Sequence, residues 1–348
     1  MKVESLSKQK ILNVAKWIIT RSLVALTTVF VGLTAVFVAT RLSPRNPVGE
    51  IIGRLTAMGA SLRPEEVEVM RKTILEIFGL DKPLWMQYLL FLKNVLTWNF
   101  GPSYIYFPVP VSAIINNYVW WTIFLLIMVI IISWVSGILI GVLASYFEGR
   151  SISKALNMLF TILYPLPYAV FALVLFLIFG VILGIYTGLG GAGFVKPSLS
   201  IEFIIAAFSR VWLPALSLIV LWIAGWFLST YLLAASIKHE DYVNYAIVRG
   251  LPRKTILSRY LLKNVMLPQI TGLALSLGNI FSGAVATEYI FSYPGLGHLL
   301  LLALMRADYN LLLGISAYSI IGVASAAFLL DFIYPFIDPR IRYGFRGG

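Results

Sequence analysis

The sequence predicts an all-α integral membrane protein with six transmembrane helices and a folded segment outside the bilayer between the first two. Three observations carry this. The chain of 348 residues is 59% hydrophobic and only 12% charged, where a soluble domain is about half apolar and a quarter charged. Apolar runs long enough to cross a bilayer, about 20 residues each, recur six times. The polar stretch 234–268 sits between two such runs and is patterned as helices, not as a linker.

Residues 1–16 are polar and carry Lys2, Lys8, Lys10 and Lys16. Span one covers 17–40 and is interrupted only by Arg21; it is too long for a signal-peptide core and lacks a small-residue cleavage pattern. Residues 41–116 form an extracytoplasmic subdomain. Within it, Arg63-Pro-Glu-Glu to Phe78 reads as a surface helix stopped by Gly79. The aromatic run from Trp98 to Phe107 suits contact with a sugar or an aromatic side chain, or packing of the subdomain against the spans.

The core occupies 117–348. Span two is expected from Val119 to Tyr146, and span three from Leu156 to Tyr186 with Pro165 and Pro167 kinking it. A Gly-rich loop, 188–209, holds Gly190-Gly191-Ala192-Gly193, read as a turn. Span four follows from Val211 to Leu233, span five from Gln269 to Ile290 and span six from Leu311 to Pro335. A short basic tail ends the chain.

The stretch 234–268 reads as a bracket. Asp241 suits the cap of a short helix, Tyr242 to Arg249, with Gly250 as its C′ residue. Pro252 suits the first turn of a second helix. There Ile256, Leu257, Tyr260, Leu261 and Val265 recur at helical spacing, with Arg253, Lys254, Arg259 and Lys263 largely opposite. A basic amphipathic helix beside a membrane is often a lipid-surface helix. That account does not explain the short helix with Tyr242, Tyr245 and small Ala246 before a glycine, which suits insertion into a partner's cleft.

Ala246, Gly250 four residues on, and Leu267-Pro268 opening the next span resemble the EAA loop of ABC importer permeases; Asn244-Tyr245 stand where that loop usually has Glu-Ala. The longer spacing from Gly250 to Pro268, Asp241-Tyr242-Val243, the string Glu288-Tyr-Ile-Phe-Ser-Tyr-Pro-Gly-Leu-Gly297 and the string Asp338-Pro-Arg-Ile-Arg342 resemble the dipeptide/oligopeptide branch. The resemblance implies a type I importer permease fold in the cell membrane. It implies a second related permease chain, two ATPase subunits that hold ATP and Mg, and an extracytoplasmic binding protein. It also implies that the short helix, with Asp241, Tyr242, Tyr245, Ala246 and Gly250, couples the spans to the ATPase. The branch moves peptides, and similar permeases move oligosaccharides; few intramembrane charges and the outer aromatics lean toward a sugar.

Charge and motif content exclude several classes. The formal charge is +12, from 27 basic and 15 acidic residues. The basic residues flank spans instead of forming one patch, so they indicate a bilayer and not nucleic acid. No cysteine is present, so thiol chemistry is excluded. No G-x-x-x-x-G-K-[ST] string occurs, so an ATP site in this chain is not expected. His239 and His298 fall on opposite sides of the membrane and no metal site is expected. Basic residues of the short loops place both termini and 234–268 in the cytoplasm. An ion-gradient-driven secondary transporter is the alternative; buried mid-membrane charge or matching broken helices would mark it.

Intramembrane acids are costly and need a reason. Glu288 suits a translocation path or outer gate, or a hydrogen bond to the turn Ser292-Tyr293. Asp331 suits pairing with a base at the cytoplasmic end. Trp120, Trp121, Trp212 and Tyr146 are expected as interfacial anchors. Trp222 and Trp226, four apart on one face, suit a cavity wall or plain helix packing.

Overall fold

The computed structural model describes residues 2–43, 63–186, 200–278 and 284–337, with 48, 49, 52, 53, 56 and 280. The described residues are all helical apart from turns and one isolated bridge between Pro102 and Pro110. In order they are α1 (Lys2–Leu42), α2 (Pro64–Ile77), α3 (Leu84–Thr97), α4 (Val111–Tyr146), α5 (Ser151–Leu163) and α6 (Tyr168–Phe176), which continues as a π-helical turn, Leu177–Ile182. Then come α7 (Ile201–Lys238), α8 (Asp241–Val248) and α9 (Arg253–Thr255), which runs through the π-helical Ile256–Leu262 into α10 (Lys263–Gly278). Last are α11 (Val285–Ile290), α12 (Leu296–Met305) and α13 (Tyr309–Ile337).

Among the described residues, four helices are long and apolar enough to span a membrane, and a fifth span results if α5 and α6 are counted as one, so helix length there does not reach six. Span three is broken by 99° between Leu163 and Tyr168. Pro165 and Pro167 remove two adjacent-turn donors, and each disfavours a helical residue before it. Span five is likewise divided into α10 and α11. Span four begins ten residues earlier than expected, at Ile201, and continues to Lys238. The double-glycine turn at 190–193 and the tail string at 338–342 lie outside the described residues.

The central pair is α4 with α7, brought together by small residues. Gly137 and Gly141 form a G-x-x-x-G on α4. A Cβ at Gly137 would collide with Trp226 Cβ, and one at Gly141 would lie 2.9 Å from the Phe227 carbonyl oxygen. Close backbone approach of this kind is a main source of helix association in lipid, where apolar burial drives little. Trp226 also covers Gly272 of α10, so it is a packing knob between three helices. α1 lies along α13, and Arg21 pairs with Asp331 at 3.4 Å. The base expected for Asp331 thus comes from span one.

The segment between α1 and α4 is helical as expected at Pro64–Ile77, with Gly79 at φ +62 after it. A second helix, α3, was not anticipated. The middle of the aromatic run packs inward, with Phe100 and Tyr104 buried and Phe78 edge-on to Tyr104; Trp98, edge-on to Phe100 and tilted against Tyr318, and Phe107 stay exposed. Asp308 fixes this segment to the start of α13. Its carboxylate accepts from Ser103 Oγ at 2.5 Å, from the Ile105 amide at 3.0 Å and from the Leu311 amide at 3.0 Å. Burial pushes the Asp308 carboxyl up, and these donors oppose the rise. Trp121, expected at the interface, is instead fully buried, edge-on to Tyr293 and beneath the Arg210 guanidinium.

Candidate functional site

The bracket is built from a short helix locked at its C-terminal end. Gly250 has φ +72, its amide donates to Ile247 O at 2.9 Å, and the Leu251 amide donates to Ala246 O at 3.2 Å. This pair of bonds is a Schellman motif, which consumes the last free carbonyls of α8 and turns the chain sharply. Space is open around a Cβ at Gly250, so glycine is needed there for φ alone. The start of the helix differs from expectation. Glu240, not Asp241, is the N-cap residue, and Asp241 is the first helical residue, where its charge still meets the positive end of the dipole.

α8 seats on the π-helical turn and on the end of α7. Val243 is buried, and Ala246 is only 1% exposed. Ala246 is therefore the seat and not the outward surface, a correction to the sequence-based expectation. Three-residue spacing puts positions 243 and 246 on one face. Once that face is packed, Tyr245, Ile247 and Val248 point out, with Val248 at 85% exposed. Tyr242 is half-pinned: it stacks on Tyr260 with centroids 6.3 Å apart and accepts from Asn264 Nδ2 at 3.2 Å. The Arg249 guanidinium lies 5.6 Å from the Tyr245 ring centroid. Lys238 reaches Glu148 and the Ser145 carbonyl, both at 3.5 Å, tying the base of the bracket to the α4–α5 turn. Ile247 and Val248 were missed in the sequence, although two adjacent aliphatics beside a C′ glycine were visible there.

A second cluster surrounds Glu288, which is 0% exposed. Oε1 accepts from Thr122 Oγ1 at 2.7 Å, and Oε2 accepts from the Gly297 and His298 amides at 2.5 and 3.2 Å. Those amides are orphan donors of the first turn of α12, so the carboxylate caps that helix from outside it. Thr122 Oγ1 in turn accepts from the Leu296 amide at 2.8 Å, and the Tyr293 hydroxyl donates to Trp121 O at 3.0 Å. The string 288–297 is thus a knot that clamps α11 and α12 to α4. Its glycines are steric: a Cβ on Gly295 would overlap the Glu288 carboxylate, and one on Gly297 would sit 2.6 Å from Val285 Cα. The carboxylate bonds lie beyond the expected Ser292-Tyr293 turn.

The two tryptophans separate. Trp226 packs as described, whereas Trp222 lines a cavity of about 440 Å³ with Leu126, Ile130, Tyr168, Ser276 and Thr287. The described lining carries hydroxyls and apolar groups but no charged side chain. Glu288 stands next to Thr287 in sequence, yet its carboxylate turns into the knot. No cluster of metal-binding side chains exists among the described residues.

The pattern of binding-protein-dependent transport system inner membrane components matches residues 137–343, which hold α7, the bracket and the knot. The chain belongs to that family. Its relatives align over nearly their full length. An oligopeptide transport system permease protein of Bacillus subtilis is 28% identical over 333 residues, 94% of this chain and 100% of its own. A dipeptide transport system permease protein of Escherichia coli is 27% identical, covering 90% of this chain and 95% of its own. An oligopeptide transport system permease protein of Haemophilus influenzae is 29% identical, covering 94% and 99%. The family's members are inner membrane components, which with the long apolar helices makes this a multi-pass membrane protein.

Proposed function

We propose that this chain is a permease subunit of an ATP-driven importer that moves short peptides from an extracytoplasmic binding protein into the cytoplasm. The observation that carries the reading is the bracket: a short helix held rigid by a Schellman motif, seated through Val243 and Ala246, and presenting Tyr245, Ile247 and Val248 outward. A surface that is both apolar and fixed suits insertion into a partner's cleft. That partner is an ATPase subunit, of which the assembly has two, each with its own ATP and Mg. A second homologous permease chain completes the membrane part. This chain contributes no ATP site of its own.

The peptide assignment is supported by the relatives, which are named for peptides, dipeptides and oligopeptides. The lean toward oligosaccharides is weakened, because Phe100 and Tyr104 of the outer aromatic run are buried in the chain itself, although Trp98 and Phe107 stay exposed. The uncharged cavity at Trp222 suits a path that binds weakly and releases readily. Motion of α8 passes to this cavity through α7 and the continuous run α9–α10. ATP binding drives alternation only through its difference in affinity between the outward and inward states. An ion-gradient-driven transporter is not favoured by the family match.

This function requires the bracket and both termini in the cytoplasm. Ser258 is exposed on the bracket, and the chain has no other thiol background. Ser258→Cys in intact cells is expected to resist an impermeant thiol reagent and to react once the membrane is opened. Labelling from outside would put the bracket beyond the reach of cytoplasmic ATPases and refute the reading.

A further inference from the structure

The first and last helices carry a ruler for depth. Arg21 of α1 pairs with Asp331 of α13 at one end, and the Arg41 guanidinium lies 5.9 Å from the Tyr309 ring centroid at the other. The helix between Arg21 and Arg41 rises about 30 Å, the thickness of the hydrocarbon core. Depth is then counted down from Arg41 and Tyr309 at about 1.5 Å per residue.

On that ruler α3 does not stay outside. Its Phe91 ring stacks on Phe37 with centroids 5.7 Å apart. The Tyr88 hydroxyl donates to Thr34 Oγ1 at 2.6 Å, and Thr34 in turn donates to Phe30 O at 2.7 Å. Thr34 lies about 10 Å below Arg41. At the C-terminal end of α3, Trp98 leans on Tyr318, about 13 Å below Tyr309. Under this end opens a crevice of about 710 Å³ between α1 and α13, reaching down to Ser22, with Leu92, Val95 and Leu96 above it. The crevice lining is apolar apart from Ser22 and Ser325.

The two faces of α3 differ. Gln87, Phe91 and Val95 are buried, and Gln87 and Asn94 turn to the pocket that Arg41 also lines. Trp85, Leu89 and Leu96 recur at helical spacing on the opposite face and are 63%, 55% and 87% exposed. In water such a stripe would be an uncovered apolar patch. A second protein helix is a poor cover for it, because helices that associate in lipid use small residues at the contact. Gly137 and Gly141 serve this way between α4 and α7, whereas α3 has no Gly, Ala or Ser.

We propose that α3 is a half-membrane helix set into the outer leaflet, with lipid acyl chains covering its Trp85–Leu89–Leu96 stripe and filling the crevice beneath its end. Asp81 and Lys82, exposed just before the helix, mark its aqueous end. Thr97 Oγ1 is satisfied by Lys93 O at 3.0 Å. Helical side chains lean toward the N-terminus, here the aqueous side, so Lys93 lays its stem along the stripe and snorkels outward. The segment between spans one and two is thus divided: charged α2 stands in water and α3 in lipid. Only the choice of leaflet rests on the orientation that the transport reading requires. A depth measurement is blind to side, so the failure of one is distinguishable from the failure of the other.

The chain has no cysteine, so a nitroxide can be attached at one position at a time. The test uses the full chain in vesicles of phosphatidylethanolamine and phosphatidylglycerol, with Leu89→Cys and Leu96→Cys on the stripe and Lys72→Cys on α2. All three side chains are exposed, so the packed faces are left intact. Collisions of the label with molecular oxygen and with a water-soluble nickel chelate are read by electron spin resonance. Oxygen should dominate at Leu89→Cys and Leu96→Cys, with the second label up to about 10 Å deeper than the first. The nickel chelate should dominate at Lys72→Cys. Oxygen access at Leu96→Cys should persist when the labelled chain is assembled with the second permease and the ATPase subunits. Nickel access at Leu96→Cys equal to that at Lys72→Cys would put α3 in water and overturn the proposal. Exclusion of both reagents from Leu96→Cys, in the chain alone or in the assembly, would give the stripe to a protein contact and overturn it equally.

Discussion

Val248→Asp should insert and fold like the parent chain and yet lose its ATPase subunits on purification. Val248 is 85% exposed at the last helical position of α8, where it packs against nothing buried and an added carboxylate costs only about 0.3–1 kcal/mol against the negative end of the helix dipole. In a docked complex the same carboxylate would be desolvated without a partner. A penalty of about 3 kcal/mol is a loss of about a hundredfold in affinity. Gly250→Val should reach the same end by another route. No atom blocks its Cβ, but a β-branched residue at φ +72 is strained by about 1–3 kcal/mol. The Schellman bonds should loosen, and the docking face should lose its fixed angle. Ala246→Glu differs from both, because it destroys the seat and should destabilise the bracket itself. Retention of ATPase by Val248→Asp at the parental level would return the bracket to a lipid-surface role.

Glu288→Ala should have the largest effect on stability. It removes the acceptor for the Gly297 and His298 amides and for Thr122. Three buried donors would be left unsatisfied, at a cost of roughly 2–5 kcal/mol. Glu288→Gln keeps one oxygen for the α12 amides and should cost less. Thr122→Val should add little in the Glu288→Ala background, since the two act as one unit. Thermal unfolding of the purified variants gives all three values. Parental melting of Glu288→Ala together with blocked transport would make Glu288 a path group instead of a clamp.

How far the sequence could be read depended on whether the partners of a residue were local. The short helix and its C′ glycine were legible because a cap is set within five residues. The Pro165-x-Pro167 break was legible for the same reason, although the size of the bend was not: 99° exceeds a kink and needs the packing of α5 and α6 against α7. Asp331 was legible as half of an ion pair because an intramembrane charge demands one, but nothing local pointed to Arg21. Ala246 was misread. An eight-residue helix with apolar groups on both faces does not reveal which face is seated until α9 and its π-helical continuation are in place. Glu288 shows the limit most clearly. Its carboxylate meets Thr122, 166 positions earlier, and only the glycines at 295 and 297 hinted that something must approach them closely. The Gly137–Gly141 spacing is visible in the sequence, but that it serves close approach of α7 follows only from the packing of Trp226 and Phe227 against it. Lengths of the spans failed where helices continue past the apolar run, as α7 does at Ile201, since hydropathy marks the lipid boundary and not the helix end.

The central claim is that ATP hydrolysed by partner chains drives a peptide through this one. The most direct measurement is uptake of a labelled dipeptide into proteoliposomes holding the complete assembly, with binding protein outside and ATP inside. Uptake should require internal ATP, should be competed by unlabelled di- to pentapeptides and not by oligosaccharides, and should vanish with Val248→Asp. Uptake that proceeds without ATP under an imposed ion gradient, or that is competed by oligosaccharides alone, would contradict the account.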